Sequence, residues 1–403
     1  MTLIELYDKA RIENIAGALL SRADKLILVG DQRKAMERSK PLYEELIMQR
    51  GRKTEVSYVS VNKNNLQNII KKLSEVVEEN DECIFDLTGG DDLFLVAAGV
   101  LIERYGDKVK CHRFNLKNST VTDCDSDGNT VCVESFDISV EENIRLYGGK
   151  IVDNGYKFVF DDEFNRDADA IWEVAKNDLR YWNFCSITIN DIMESYNESG
   201  GLNVRYSVEH VTDALRGRGG NYGLKKEFLA ALEAKGLINS LIYEDTVSFT
   251  FKNEAVMEAI SIPGKMLEVA VASKLSRIKD NDGNNLYNDV RVGVIINWSD
   301  ENEDSPTVNE IDVLAMKDAI PIFISCKSGT FDATELYKLQ TVATRFGEKY
   351  AKGVIVFTSP EALRGNLEYI RGRADDMGIR RIENPDGMSD SEFERGLRSL
   401  YLN

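Results

Sequence analysis

The first hundred residues alternate between short apolar runs and longer amphipathic stretches. Residues 24–29 form an apolar run ending at Gly30, residues 41–49 read as a helix, and residues 54–59 read as a strand. A second unit repeats the pattern. Leu66, Ile69, Ile70, Leu73, Val76 and Val77 give residues 65–79 helical periodicity, residues 82–86 read as a strand, and residues 93–105 read as an apolar helix. Strand and helix in alternation predict an α/β domain with a parallel sheet of Rossmann type. Residues 112–133, with a polar turn at 125–129, predict a β-hairpin that closes this domain, placed at residues 1–150.

Beyond about residue 154 the pattern turns helical, with helices expected over 164–177, 207–215 and 225–235, the last capped by Gly236. Residues 237–251 alternate as a hairpin does, so the middle domain, 151–263, reads as a winged-helix-like connector. It is thinly basic, which leaves two readings, a DNA reader and a structural coupler. In the last domain, 264–403, helices are expected over 265–278 and 334–350, and strands over 290–298 and 353–357. Between them lie two further apolar runs, one carrying Asn309, Glu310, Ile311 and Asp312, the other running from Ile320 to Ser325, Cys326 and Lys327.

The period of two along a strand puts Glu310 and Asp312 on the same face. With Lys317 and Asp318 as the turn, the two runs pair as a hairpin that brings Lys327 beside Asp312. Carboxylates, a lysine and room for water are what metal-assisted phosphodiester hydrolysis requires. A hard Mg²⁺ or Mn²⁺ prefers oxygen ligands and lowers the pKa of a bound water, while an ammonium orients that water or offsets developing charge. The other reading is an amphipathic hairpin with a solvated charged face.

These residues resemble the PD-(D/E)XK nuclease fold, in which an acidic strand residue is followed by a second strand ending in D/E-x-K. The resemblance implies Asp312 at the acidic position, Lys327 as the lysine, Glu268 as the upstream helical carboxylate and Gln340 on the helix after the second strand. Ser325 stands where the second carboxylate belongs. Either Glu310 supplies the missing charge, or the metal is held by Asp312, a backbone carbonyl near Cys326 and waters. A site short of one carboxylate is expected to use Mn²⁺ at least as well as Mg²⁺.

In a Rossmann-type sheet ligands sit beyond the carboxyl ends of the strands, where two loops of this chain fall. One is Gly30, Asp31, Gln32 and Arg33; the other runs from Asp86 through Leu87, Thr88, Gly89 and Gly90 to Asp91 and Asp92. Paired glycines let a backbone approach a ligand closely, and the following helix offers free N–H groups. An ordinary strand-to-helix turn with acidic first-turn residues is the plainer reading. The pattern is no G-x-G-x-x-G, which disfavours a nicotinamide cofactor.

The Asp-Leu-Thr-Gly-Gly run after a strand resembles the ligand loop of CRISPR-associated Rossmann-fold (CARF) domains, which sense cyclic oligoadenylates. Joined to a PD-(D/E)XK-like half, the whole chain resembles the CARF-nuclease effectors of type III CRISPR defence. The resemblance implies a homodimer with cyclic tetra-adenylate across its two-fold axis, held by Gly30, Asp31, Gln32, Arg33, Thr88, Gly89 and Gly90. It also implies a nuclease acting on single-stranded DNA, with RNA or nicking of supercoiled duplex as alternatives. The competing expectation is a ligand-responsive transcriptional regulator or adaptor that binds DNA through the middle domain and cleaves nothing.

Composition narrows the picture. A net charge of −18 over 403 residues opposes broad adhesion to nucleic acid and leaves a local basic cleft as the way to hold a strand. Candidates for it are Arg216 to Gly220, Lys225 with Lys226, and Arg364, Arg371, Arg373, Arg380 and Arg381, all of which also read as solvated surface charge. Six scattered cysteines without C-x-x-C spacing and two histidines disfavour a zinc site or a histidine-based triad. No apolar run is long enough to span a membrane and the first residues lack a basic leader, so a cytoplasmic protein is expected.

Overall fold

The computed structural model describes residues 1–8, 10–118, 120–124, 129–132, 136–153, 158–216, 223–298, 308–358 and 366–402. The amino-terminal part contains β1 (Thr2–Leu6), α1 (Glu13–Leu20), β2 (Lys25–Gly30), α2 (Arg33–Gln49), β3 (Glu55–Ser60) and α3 (Leu66–Glu78). It continues with β4 (Cys83–Asp86), α4 (Asp92–Tyr105), β5 (Val109–Asn115), β6 (Thr120–Asp123) and β7 (Thr130–Cys132). The sheet order is β3-β2-β1-β4-β5-β6-β7; the first five positions are parallel and the last two antiparallel. Helices α1 and α2 cover one face and α3 and α4 the other.

The central strand is β1, which the apolar pattern passes over. All five of its residues are buried, including Glu5, and a strand covered on both faces shows no alternation to read. Helix α2 also begins eight residues before the expected start at Pro41, which lies in its interior.

Next come α5 (Val140–Leu146), β8 (Lys150–Asp153), α6 (Asp162–Lys176), α7 (Leu179–Ser195), β9 (Asn203–Ser207), α8 (Val208–Arg216) and α9 (Lys226–Ala234). They are followed by β10 (Ile238–Tyr243), β11 (Thr246–Phe251) and α10 (Glu254–Ser261). The hairpin β10–β11 follows the helix pair α8 and α9 and is completed into a small sheet, β10-β11-β9, by the strand that precedes them, the winged-helix-like arrangement.

The carboxyl-terminal part contains α11 (Lys265–Arg277), β12 (Asp289–Asn297), β13 (Val308–Lys317), β14 (Ile320–Lys327) and α12 (Thr334–Gly347). It ends with β15 (Lys352–Phe357), α13 (Leu367–Asp376), β16 (Arg380–Glu383) and α14 (Asp390–Arg398). Its sheet runs β16-β15-β14-β13-β12-β8, antiparallel from β8 to β14 and parallel from β14 to β16. A helix, an antiparallel three-strand meander, a crossover helix and a parallel strand make the restriction-endonuclease-like core.

The expected domain limits do not coincide with breaks in packing. Strand β8 pairs with β12, so Ile151 sits opposite Ile296 in the third sheet. Asn143 on α5 donates to the Phe346 carbonyl at 2.8 Å, docking the end of the expected first domain onto α12. Trp172, Trp182, Phe249, Leu267, Val313 and Phe393 belong to one continuous core, so the connector and the last domain pack as a unit. Residues 125–128, 217–220 and 300–304 and Arg364 lie outside the described residues. Among those described, no helix is long and apolar enough to cross a membrane.

Candidate functional site

The β13–β14 hairpin forms, with Val313 opposite Ile324; Lys317 pairs with Ile320, so the turn is Asp318 and Ala319, one residue later than expected, with Asp318 at φ 55°. Past the last paired residues the strands diverge, and the Asp312 carboxylate fills the fork. Its Oδ2 accepts from the Cys326 amide at 2.7 Å, the Ser325 hydroxyl at 3.2 Å and the Lys327 ammonium at 3.2 Å. In an extended strand the N–H and C=O of one residue point to the same edge, so the Cys326 carbonyl also faces Asp312. The Cys326 thiol is buried, and burial, with Asp312 and Glu268 nearby, pushes its pKa well up, which makes it inert.

Glu268 stands in the first turn of α11, 8% exposed. The Lys265 ammonium lies 2.6 Å from Glu268 and 3.3 Å from Glu310. Room for that lysine comes from Gly293, where φ is 64° and a Cβ would stand 3.2 Å from Nζ. Burial raises the Glu268 pKa to about 7; Asp312 and Glu310 add to the rise and Lys265 opposes it. On the other side of Asp312, Lys327 is 3.3 Å from Glu335 at the start of α12. Burial works against the Lys327 charge, but Asp312 and Glu335 outweigh it and hold its pKa above the ordinary lysine value.

The structure thus gathers Glu268, Glu310, Asp312 and Lys327 into one cluster. Gln340 is not drawn in: its amide bonds the Thr344 hydroxyl at 3.1 Å, and it stands about 140° around the helix from Glu335. Glu335 and Lys265 were missed. The only signals for them were a first-turn position on the crossover helix and an i, i+3 spacing to Glu268, both common on solvated helices. Among the described residues no three His, Cys, Asp or Glu side chains form a ready-made metal cage. The oxygen-only donors Asp312, Glu310 and the Cys326 carbonyl nevertheless suit a hard cation that keeps several waters.

The amino-terminal loops have a different geometry. Because β1 lies between β2 and β4, the crevice opens between the β1 and β4 loops, and the Gly30–Arg33 segment stands two strands away, about 10 Å. The loop after β1, unnoticed in the sequence, is the partner of the glycine pair: the Gly90 amide donates to Asp8 Oδ2 at 3.1 Å. Asp8 and Asn14 in turn exchange two hydrogen bonds, at 2.6 and 2.8 Å. Gly90 has φ 100° and lies so close to Leu6 that a Cβ would come within 2.7 Å of it, so both conformation and space require glycine. The Thr88 hydroxyl is engaged within the fold, accepting from the Phe114 amide at 2.8 Å and donating to Asp86. Asp31 pairs with Lys63 at 3.3 Å, and Arg33 is exposed at the start of α2.

A cleft of about 620 Å³ opens beside Thr88, lined also by Arg113, Lys117, Asn118, Lys349 and Tyr350. Its far wall comes from the carboxyl-terminal part, where Tyr350 donates to Glu13 at 2.5 Å and Lys349 pairs with the same carboxylate at 2.7 Å. Helix α4, which follows the glycine pair, leaves Leu95, Val96 and Val100 exposed.

At the level of sequence, no family model matches the chain and no curated protein matches it. Two solved structures align over nearly its whole length. Protein VC1899 from Vibrio cholerae aligns with a TM-score of 0.73 at 18% identity, covering 99% of this chain and 96% of its own. Can2 from Sulfobacillus thermosulfidooxidans, solved in complex with cyclic tetra-adenylate, aligns with a TM-score of 0.67 at 15% identity, covering 100% of this chain and 99% of its own. The chain therefore has the fold of these two proteins throughout, a CARF-like Rossmann sheet joined through a winged-helix-like connector to a PD-(D/E)XK-like sheet.

Proposed function

We propose that the protein is a metal-dependent nuclease of type III CRISPR defence, switched on by cyclic tetra-adenylate. The observation that carries this reading is the single Asp312 oxygen that accepts from the Cys326 amide, Ser325 and Lys327 at the fork of the β13–β14 hairpin. Asp312 and Glu310, with the Cys326 carbonyl and with Glu268 behind them, would hold Mn²⁺ or Mg²⁺, which supplies Lewis-acid polarisation of the phosphoryl group and a more acidic bound water. Lys327 orients the attacking water or offsets charge on the phosphoryl oxygens, and Glu335 keeps its ammonium beside Asp312. Single-stranded DNA is the first substrate to test, with RNA and supercoiled duplex beside it. Asp312→Ala and Lys327→Ala should each abolish divalent-dependent cleavage, and persistence of cleavage in both would remove the assignment.

The activator would sit across the two-fold axis of a homodimer, for which the exposed Leu95, Val96 and Val100 of α4 offer an apolar contact. Gly30, Asp31, Gln32 and Arg33, and Thr88, Gly89 and Gly90, are the contacts proposed for the ring. Thr88 acts there through the loop shape it maintains, and Arg113, Lys117 and Lys349 add cations for the phosphates. The fold shared with Can2, whose structure holds cyclic tetra-adenylate, supports this reading. Titration with cyclic tri-, tetra- and hexa-adenylate, following binding and strand cleavage together, tests it; no binding to any of them would end the sensor assignment. A DNA-reading middle domain draws little support from α9, whose sequence carries Glu227 and Glu233 beside Lys226.

A further inference from the structure

Glu13 stands where three parts of the protein meet. It opens α1, it is 1% exposed, and its carboxylate lies under the glycine loop, where a Cβ at Gly89 would fall 3.4 Å from Oε2. The other oxygen, Oε1, reaches the carboxyl-terminal part: it accepts from the Tyr350 hydroxyl at 2.5 Å and pairs with the Lys349 ammonium at 2.7 Å. Oε2 is buried and has no hydrogen-bond partner among the described residues. Burial raises the Glu13 pKa, Lys349 and Tyr350 oppose the rise, and Asp8 adds to it. The ionised carboxylate therefore depends on that lysine, because a buried charge is costly unless it is paired.

Lys349 also faces outward. Its side chain is 58% exposed and, with Glu13, lines the cleft of about 620 Å³ beside Thr88. From there a continuous connection runs to the metal site. Lys349 and Tyr350 belong to the turn Glu348–Tyr350 that directly follows α12, entered through Glu348 at φ 49°. At that end α12 is packed tightly on the start of β14, where a Cβ at Gly347 would come within 2.7 Å of Pro321. At its other end, about 20 Å away, Glu335 holds Lys327 at the end of β14.

We propose that the Glu13–Lys349 pair is the joint between sensor and nuclease: an anionic ligand in the cleft takes Lys349 from Glu13, and the released turn shifts α12, and with it Glu335 and Lys327. This rests on the reading of the cleft as part of the cyclic tetra-adenylate site. Lys349 is within reach of both acceptors, so the ligand and Glu13 compete for it. Once the ligand holds the lysine, Glu13 is a buried carboxylate with Tyr350 alone, which drives it to its neutral form or out of the contact. Competition has a sign that packing lacks: removing the Glu13 charge frees Lys349 and tightens ligand binding, whereas loss of a merely structural contact leaves binding unchanged or weakens it.

The test follows binding of cyclic tetra-adenylate by calorimetry, and hydrogen exchange of residues 334–350 with and without that ligand, in the full chain as parent, Glu13→Gln, Lys349→Gln and the double variant. Glu13→Gln should bind about ten-fold more tightly and Lys349→Gln about ten-fold more weakly, and the gain should vanish in the double variant. The ligand should change exchange over 334–350 in the parent and leave it unchanged in Glu13→Gln. Should Glu13→Gln fail to fold, Glu13→Leu, which also removes the charge, replaces it. Unchanged or weaker binding in the Glu13 variant, or a gain that persists without Lys349, overturns the proposal and leaves the sensor reading standing. Tighter binding with the exchange response intact overturns it too, since the pair would then tune affinity without joining the two parts. No binding by the parent removes the sensor reading and the joint with it. Because no cleavage is measured, the outcome does not depend on the nuclease reading.

Discussion

Carboxylates gather at two places among the described residues, and their surroundings differ. In the carboxyl-terminal cluster acids and ammonium groups alternate, as Glu310–Lys265–Glu268 and as Asp312–Lys327–Glu335. Behind the glycine loop, Glu5, Asp86 and Glu13 are each at most 1% exposed. Among the described residues, only Glu13 there reaches a lysine, Lys349. Burial, with Asp86 and Glu13 nearby, pushes the Glu5 pKa well up, which favours its neutral form. The first cluster sets its acids beside ammonium groups, whereas in the second burial and neighbouring acids favour the neutral form of Glu5.

That contrast predicts effects of decreasing size. The largest belongs to the fork: Asp312→Ala or Lys327→Ala should lower divalent-dependent cleavage by about 10² to 10⁴-fold in a gel assay, with the fold retained. Chelation with EDTA should match it. Lys265→Ala should be next, since it strands Glu268 and Glu310 without their ammonium. A loss of about 3 kcal/mol in urea unfolding is expected, and Lys265→Arg should restore part of it.

Glu335→Gln sharpens the comparison from the other side. It loosens Lys327 without touching Asp312, and a fall of about ten-fold in cleavage rate, about 1.4 kcal/mol, is expected. An unchanged rate would show that Asp312 alone positions the lysine. The smallest effect, and one of opposite sign, is at Glu5. Its folded pKa is above the ordinary 4.5, so the unfolded chain gives up this proton first. Stability from this residue is complete below that ordinary value and falls as pH climbs from there towards the folded pKa. Glu5→Gln should therefore melt higher than the parent at pH 8, by a margin that closes near pH 4.

How much of this the chain displayed in advance differs between the same two regions. Asp312 and Lys327 were legible because a two-residue period and a short turn, both local, determine their meeting. The glycine loop was legible for a similar reason, as a strand end beside a helix start. The β1 loop, with Asp8 and Asn14, was not, because β1 carries Glu5 at its centre and no alternation. The sequence therefore offered only the Gly30–Arg33 segment, at the end of the neighbouring β2, as the second loop.

By itself, then, the sequence determined the strand and helix alternation from β2 to α4, the pairing of β13 with β14 and the residue types at the fork. These depend on periodicity, propensity and turn chemistry within about twenty residues of one another. Tertiary structure alone decided that Lys265 and Glu335 complete the cluster, that β8 joins the third sheet, and that Glu13 meets Tyr350. Each of these pairings joins elements whose mutual placement is set by buried area over the whole core. A charged side chain on a helix looks the same in sequence whether it faces water or a buried carboxylate; burial by the packed core is what separates the two.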